Sequence, residues 1–323
     1  MTNLKKIIID FPNQFKAGFE IAKDIRVGSF RNVIFCGMGG SIMPAEILFT
    51  LLPELPNSFH IHRDFDLPAW ATKDDLAISL SWSGNTAETI SSYEKAKKWG
   101  VKTLIITKGG KIRELAKNNN DLVITLPQKD IPPRFGVGYM FTVLLTVLVN
   151  SGMIEFNLEE LTGLEGLKPE RLEKKGKELA EKIGNLTPLI YSSFQNRFLA
   201  SFWKVKFNES SKIHAFWNHF PNLSHNEIAG FTASMDAAIE SFVILLSDSG
   251  DDERLQNKTS VAVKLLQETE IPHQVVKIDG KTRLEKIFND YLLSDWTSFY
   301  LAKDRGVEPT DTEMIEKFKE MEK

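Results

Sequence analysis

The chain has 323 residues, with 40 Lys and Arg against 43 Asp and Glu, 42% hydrophobic residues and one cysteine. This length fits two domains better than one or four, and the hydrophobic fraction excludes a largely disordered chain. A formal charge of −3 lacks the basic footprint of a nucleic-acid binder, and a lone Cys36 with no zinc-spaced Cys/His cluster points to a reducing cytosol.

Residues 1–6 are polar, and the apolar run 7–9 is cut off by Asp10 and Pro12, too short for a signal-peptide core. The first half then alternates. Strands are predicted at 32–36, 59–63, 76–81, 103–107 and 122–126, and helices at 41–52, 86–99 and 112–118. The most apolar stretch, 137–149, falls short of the ~20 residues of a bilayer-crossing helix and reads as a buried core helix, so no membrane partner is expected. Strands alternating with helices imply a parallel sheet covered on both faces. Between 150 and 170 the chain turns acidic, with Gly163, Gly166 and Pro169 close together, and the expected division is 1–150 and 151–323. Strands at 188–191, 242–246 and 273–278, with helices at 197–209, 252–268 and 283–302, make the second half another α/β unit. It reads as a degenerate copy of the first without the glycines of the first turn. The tail 309–323 reads as one helix with Met314, Ile315 and Phe318 as its apolar stripe.

Four segments carry chemistry. GMGGS at 37–41 joins a strand to a helix, where glycines let backbone N–H groups approach a ligand and the helix N-terminus favours an anion. Gly37 and Gly39 satisfy two positions of a dinucleotide fingerprint, with Asp64 and Asp66 downstream, but Ile42 replaces its third glycine. SWSGNT at 81–86 opens the next helix. Three hydroxyls and a glycine there exceed what an N-cap needs and suit a phosphate, and with no lysine in the motif this is not a nucleotide P-loop. In PPR at 132–134 two prolines restrain the backbone around Arg134, whose guanidinium suits a developing oxyanion. Glu209 near a helix end opposes the helix dipole, and His225 lies in the polar run SHNE (224–227), an imidazole suited to acid/base work. His214 and His219, among Phe216, Trp217 and Phe220, read as packed histidines.

Together these segments, with NES at 208–210, SHNEI at 224–228 and the tail RGVEPT at 305–310, resemble the bifunctional phosphoglucose/phosphomannose isomerases of the broader sugar isomerase (SIS) domain family. The resemblance runs from about Arg31 to the C-terminus. It implies two SIS subdomains, each a flavodoxin-like parallel sheet flanked by helices, in a homodimer with active sites shared at the subdomain and subunit interface, and no cofactor or metal. By resemblance Gly40, Ser41, Ser81, Ser83 and Thr86 hold a sugar phosphate. Glu209 matches the proton-shuttling base, Arg134 the intermediate-stabilising arginine, and His225 the ring-opening acid/base of the partner subunit. Lys319, with Lys317 as an off-register rival, matches a lysine on the last helix, and Thr312 a threonine associated with accepting the mannose epimer. Ile42, Met43 and Pro44 depart from the family's small residues, placing Ile42 at the rim of the pocket; Ala87 replaces a commonly acidic position. Aldose–ketose isomerisation through a cis-enediol(ate) needs a carboxylate, a cation and an acid/base, and Glu209, Arg134 and His225 are these types. A non-catalytic sugar-phosphate sensor would need the serines but not that trio. The isomerising half of a glucosamine-phosphate synthase would follow a glutaminase domain with a cysteine after Met1, where Thr2 stands here.

Overall fold

The computed structural model describes residues 2–56, 58–232 and 240–322. The chain divides into two compact units, Asp10–Leu167 and Met1–Ile9 with Lys168–Lys323. The seam falls later than 150/151, because a short helix at Glu160–Leu164 buries Leu161 and Leu164 in the amino-terminal unit. Helices α1 (Thr2–Asp10) and α2 (Asn13–Ala22) come first. Neither stands out in the sequence pattern. Pro12 occupies the N-cap of α2, where a missing N–H costs little, so it separates two helices rather than ending regular structure.

The amino-terminal unit continues with β1 (Val33–Gly37), α3 (Met43–Leu51), β2 (Phe59–His62), β3 (Leu76–Ser81), α4 (Ala87–Trp99), β4 (Lys102–Thr107), α5 (Gly110–Asn118), β5 (Leu122–Thr125), α6 (Val137–Asn150) and α7 (Glu160–Leu164). Its five strands are all parallel, in the order β2-β1-β3-β4-β5. Every residue of β1 and β3 is buried, as their continuous apolar runs require of strands covered on both faces. Cys36 lies inside β1, where burial pushes its thiol up to about 12, so it serves as a packing group. Helix α6 is buried along nearly its whole length and crosses α2 closely: a Cβ at Gly18 would stand 2.8 Å from Thr142 Cβ.

The carboxy-terminal unit holds α8 (Glu173–Ile183), β6 (Thr187–Ser193), α9 (Arg197–Ser210), β7 (Phe216–Phe220), β8 (Ser241–Ser247), α10 (Glu253–Glu268), β9 (His273–Lys277), α11 (Arg283–Asp304) and α12 (Glu313–Met321). Its sheet is parallel with order β7-β6-β8-β9, the same winding as the first with one strand fewer. The expected architecture of two flavodoxin-like α/β subdomains is what the chain forms. Helix α1 belongs to this unit, where Lys5 Nζ meets Glu173 Oε1 at 2.7 Å. The long α11 packs on α9 around a fully buried pair, Lys206 and Asp295, 2.7 Å apart. The tail helix starts at Glu313 rather than at 309. Glu308 accepts bonds from the Thr310 hydroxyl (2.7 Å) and N–H, holding a turn there, and the Asp311 carboxylate then accepts the Glu313 N–H at 2.9 Å. Met314, Ile315, Phe318 and Met321 of α12 are exposed. Among the described residues, no helix is long and apolar enough to cross a membrane.

Candidate active site

In an open parallel sheet, ligands bind outside the carboxyl ends of the strands where the strand order reverses. In the amino-terminal unit that point lies between β1 and β3, and the two strands end on the glycine-serine turn at 37–41 and on the serine-rich loop at 81–86. A third loop, between β5 and α6, brings up Pro132, Pro133 and Arg134.

These three loops interlock. Ser41 Oγ accepts the Trp82 N–H at 3.0 Å, tying the first loop to the second. Gly40 lies directly against the third: a Cβ there would be 2.5 Å from Arg134 N. Gly136 faces the Trp82 ring so closely that a Cβ would come within 2.5 Å of it. From α2, the buried Gln14 donates to the Phe135 carbonyl at 2.7 Å and accepts the Tyr139 N–H at 3.3 Å, pinning the turn that carries Arg134. Gln14 lies in no local motif, and the packing of Trp82 on Gly136 joins segments remote in sequence, so neither tie can be read from the sequence.

The hydroxyls are not spent on capping. Thr86 occupies the N-cap of α4 yet makes no side-chain cap bond; its hydroxyl instead lies 3.1 Å from Ser81 Oγ, which also accepts the Gly84 N–H at 3.1 Å. The first-turn N–H groups of α4 therefore keep their affinity for an anion. Ser41 (6% exposed) and Ser81 (1%) are recessed, Thr86 is half-buried and Ser83 is exposed, its oxygen accepting the Asn85 N–H at 3.2 Å. Gly84 takes φ 75°, and a Cβ there would collide with the Gly109 carbonyl at 1.7 Å, so only glycine lets the loop against β4's end. Ile42 is buried at 2% exposure and packs towards Gly37, so it is a core residue and does not stand at a pocket rim. Arg134, 1% exposed, stacks its guanidinium carbon 4.9 Å from the Phe135 ring centroid. An arginine keeps its charge when buried, so the turn packed against Gly40 carries a fixed cation.

The carboxy-terminal unit holds the other residues expected from the sequence. Glu209 is half-buried in the last turn of α9. Lys212 just beyond it donates to the Glu209 carbonyl at 2.6 Å and to the Asp311 carbonyl at 2.5 Å, tying the main chain at Glu209 to that of the residue before Thr312. Thr312 is half-buried at the N-cap of α12. Lys319, on α12, is exposed and pairs with Glu316 at 2.7 Å; Lys317 is exposed too. His225 is exposed in a short 3-10 turn, Asn222–His225. His214 is exposed, whereas His219 is half-buried in β7 with its ring 5.2 Å from that of Phe194, so the packed-histidine reading holds for His219 alone.

The reversal point of the second sheet is filled by the protein itself. Asp248, after β8, receives Arg283 at 2.5 Å and Lys286 at 2.6 Å. Burial raises the Asp248 carboxyl, but the Lys286 bond, the Gly250 N–H and Arg283 more than offset it, holding it below the usual range. Ser193 donates to Asp251 at 2.7 Å, and Asn196, at the N-cap of α9, donates to both Asp251 (3.1 Å) and Ser193 (3.1 Å). Burial and the nearby Asp248 push Asp251 up. Among the described residues no group of three or more His, Cys, Asp or Glu is placed to hold a metal ion.

Residues 31–154 match the SIS domain family, and residues 172–321 match the bacterial phospho-glucose isomerase C-terminal SIS domain. A bifunctional phosphoglucose/phosphomannose isomerase of Aquifex aeolicus (strain VF5) is 32% identical, over 99% of this chain and 98% of that protein. One from Caldicellulosiruptor bescii is 33% identical over 96% of each. The solved C-terminal domain of glucosamine-fructose-6-phosphate aminotransferase from Francisella tularensis superposes with a TM-score of 0.74 over 96% of this chain and 98% of that one, at 15% identity, a likeness of fold alone. With such identity along nearly its whole length, the chain belongs to the bifunctional phosphoglucose/phosphomannose isomerase family and carries two SIS domains.

Proposed function

We propose that the protein interconverts glucose 6-phosphate and mannose 6-phosphate with fructose 6-phosphate as an aldose–ketose isomerase. The observation that carries this reading is the Ser81–Thr86 loop at the reversal point of the first sheet, its Thr86 hydroxyl turned away from capping and the loop tied through the glycine-serine turn to the turn that carries the buried Arg134. Neutral donors and helix N-terminal amides suit a phosphate dianion. Ser41, Ser81, Ser83, Thr86 and the Gly40 backbone hold that phosphate, and this remote binding energy positions the sugar. His225 of a second copy opens the ring, moving a proton between the ring oxygen and the anomeric hydroxyl. Glu209 then removes the C2 proton of the aldose and returns it to C1, while a proton passes from the C2 hydroxyl to the C1 oxygen. Arg134 and Lys319 stabilise the enediolate oxygens between the two transfers. Because the enediolate is planar at C2, return of the proton to either face gives glucose or mannose 6-phosphate, and Thr312 accommodates the second epimer.

The working form in this reading is a homodimer, favoured by the exposed apolar stripe of α12 and by His225 lying exposed in its own chain. The buried, unpaired Cys36 favours a reducing cytosol. Incubating the purified protein with glucose 6-phosphate or mannose 6-phosphate in separate tubes tests the proposal. Fructose 6-phosphate is expected in both without added metal or nicotinamide cofactor. Its formation in neither refutes the isomerase reading.

A further inference from the structure

We infer that Lys212 is a positioning residue for this reaction, a clip holding the main chain at Glu209, and with it the base of that side chain, in register with the start of α12. The inference rests on the isomerase reading above, in which Glu209, Thr312 and Lys319 all meet the sugar.

Three observations carry it. The last carbonyls of a helix have no partner inside it, and here the terminus folds back tightly: the Ser211 and Ile213 N–H groups both return to the Phe207 carbonyl, at 3.1 and 3.3 Å. That leaves the Glu209 carbonyl to the Lys212 ammonium, at 2.6 Å. Second, the same ammonium reaches the carbonyl of Asp311, whose carboxylate caps α12 through the Glu313 N–H at 2.9 Å. Helix α12 has no buried residue, so its placement depends on tethers of this kind at its first turn. Third, Lys212 stands at φ 56°, a left-handed conformation that disfavours any side chain. Glycine is the residue usual just past a helix end in that conformation. A lysine there sacrifices backbone comfort for an ammonium that spans two segments and meets the negative end of the α9 dipole.

The same geometry supplies a clean test, because Lys212→Gly removes the clip and relieves the backbone together. In the full-length protein, Lys212→Gly is expected to melt no lower than the wild type. Its kcat for fructose 6-phosphate should fall roughly tenfold, as for a reacting group displaced by a fraction of an ångström, with KM within about twofold because the phosphate loops are untouched. The ratio of mannose 6-phosphate to glucose 6-phosphate formed should shift by at least about threefold, since Thr312 loses its anchor. Lys212→Arg should restore most of kcat and the wild-type ratio. Glu209→Gln is run in parallel. Wild-type kcat and product ratio in Lys212→Gly, with Glu209→Gln inactive, overturn the clip and leave the isomerase reading standing. Wild-type turnover in Glu209→Gln removes the base that the clip is said to position. Should Lys212→Gly melt well below the wild type, Lys212→Met replaces it. Loss of melting temperature in proportion to activity in both, with the product ratio constant, assigns Lys212 a purely structural role and overturns the inference.

Discussion

Replacing Gly40 by alanine adds one methyl group at the place where the glycine-serine turn meets the turn carrying Arg134. The new Cβ would lie 2.5 Å from Arg134 N, 2.9 Å from Arg134 Cα and 3.0 Å from the Pro133 carbonyl carbon, all of them backbone atoms. Such atoms normally rest ~3.5 Å apart, so the two turns must separate by about 1 Å. Both ends of that displacement matter in the proposed reaction, because one turn presents Ser41 to the phosphate and the other presents the guanidinium to the enediolate. A misplacement of ~1 Å costs on the order of 100-fold in rate, and overpacking of this kind costs ~1–3 kcal/mol of stability. Initial rates of fructose 6-phosphate formation from glucose 6-phosphate, with a melting curve on the same sample, separate the two effects. Gly39→Ala is the informative companion: Gly39 has φ 51° but no atom within 4 Å of its Cβ position, so it brings backbone strain without the collision. A folded Gly40→Ala protein with kcat/KM within twofold of the wild type would refute the argument that this close approach sets the site.

Thr86→Val keeps the shape of the side chain but removes its hydroxyl. Affinity for fructose 6-phosphate in an equilibrium titration should fall roughly 10- to 100-fold, the weight of a hydrogen bond to a charged group; unchanged affinity would place the phosphate elsewhere. Glu209→Gln should cut turnover by at least ~100-fold while binding of fructose 6-phosphate is largely retained, and normal turnover would exclude it as the proton carrier. Asp290 concerns stability. It is 3% exposed, its Oδ2 accepts the Trp203 Nε1–H at 2.9 Å, its Oδ1 has no partner, and burial raises its carboxyl to about 7. The folded chain therefore holds this proton where the unfolded chain, titrating near 4, has lost it. Stability should fall as pH rises from about 4 through about 7, and the loss is complete above that. Asp290→Asn should flatten this dependence and be more stable at pH 8, on the order of 2–4 kcal/mol by the size of the shift. Melting temperatures for both proteins between pH 4.5 and 8 decide it, and identical slopes would dismiss the Asp290 contribution.

The central strands were legible because strands covered on both faces need unbroken apolar runs, and β1 and β3 have them. Strand β7 was not. Its FWNHF sequence at the sheet edge, mostly half-buried, mixes aromatic and polar residues without alternation, and the aromatic residues read as the surroundings of packed histidines. Helix α1 was hidden for another reason: Glu173, which its Lys5 meets, lies far along the chain. The motifs of the amino-terminal site were visible as strings, since turns at helix starts use glycine and hydroxyl residues for local reasons. Their interlocking was not, because Gly40 against Arg134, Gly136 against Trp82 and Gln14 against Phe135 are contacts between distant segments. Lys212 escaped notice because a lone lysine after a helix carries no signature until its second partner, Asp311, is placed.

The ionic cluster of Arg283, Lys286, Asp248 and Asp251 gives the end of the second sheet a resident where the first sheet presents glycines and serines. A resident does not come and go. The amino end of α9 is thus fastened, through Asn196 to Ser193 and Asp251, by groups of the chain itself. The charges of the second sheet thereby brace one end of a helix whose last turn, at the far end, carries Glu209.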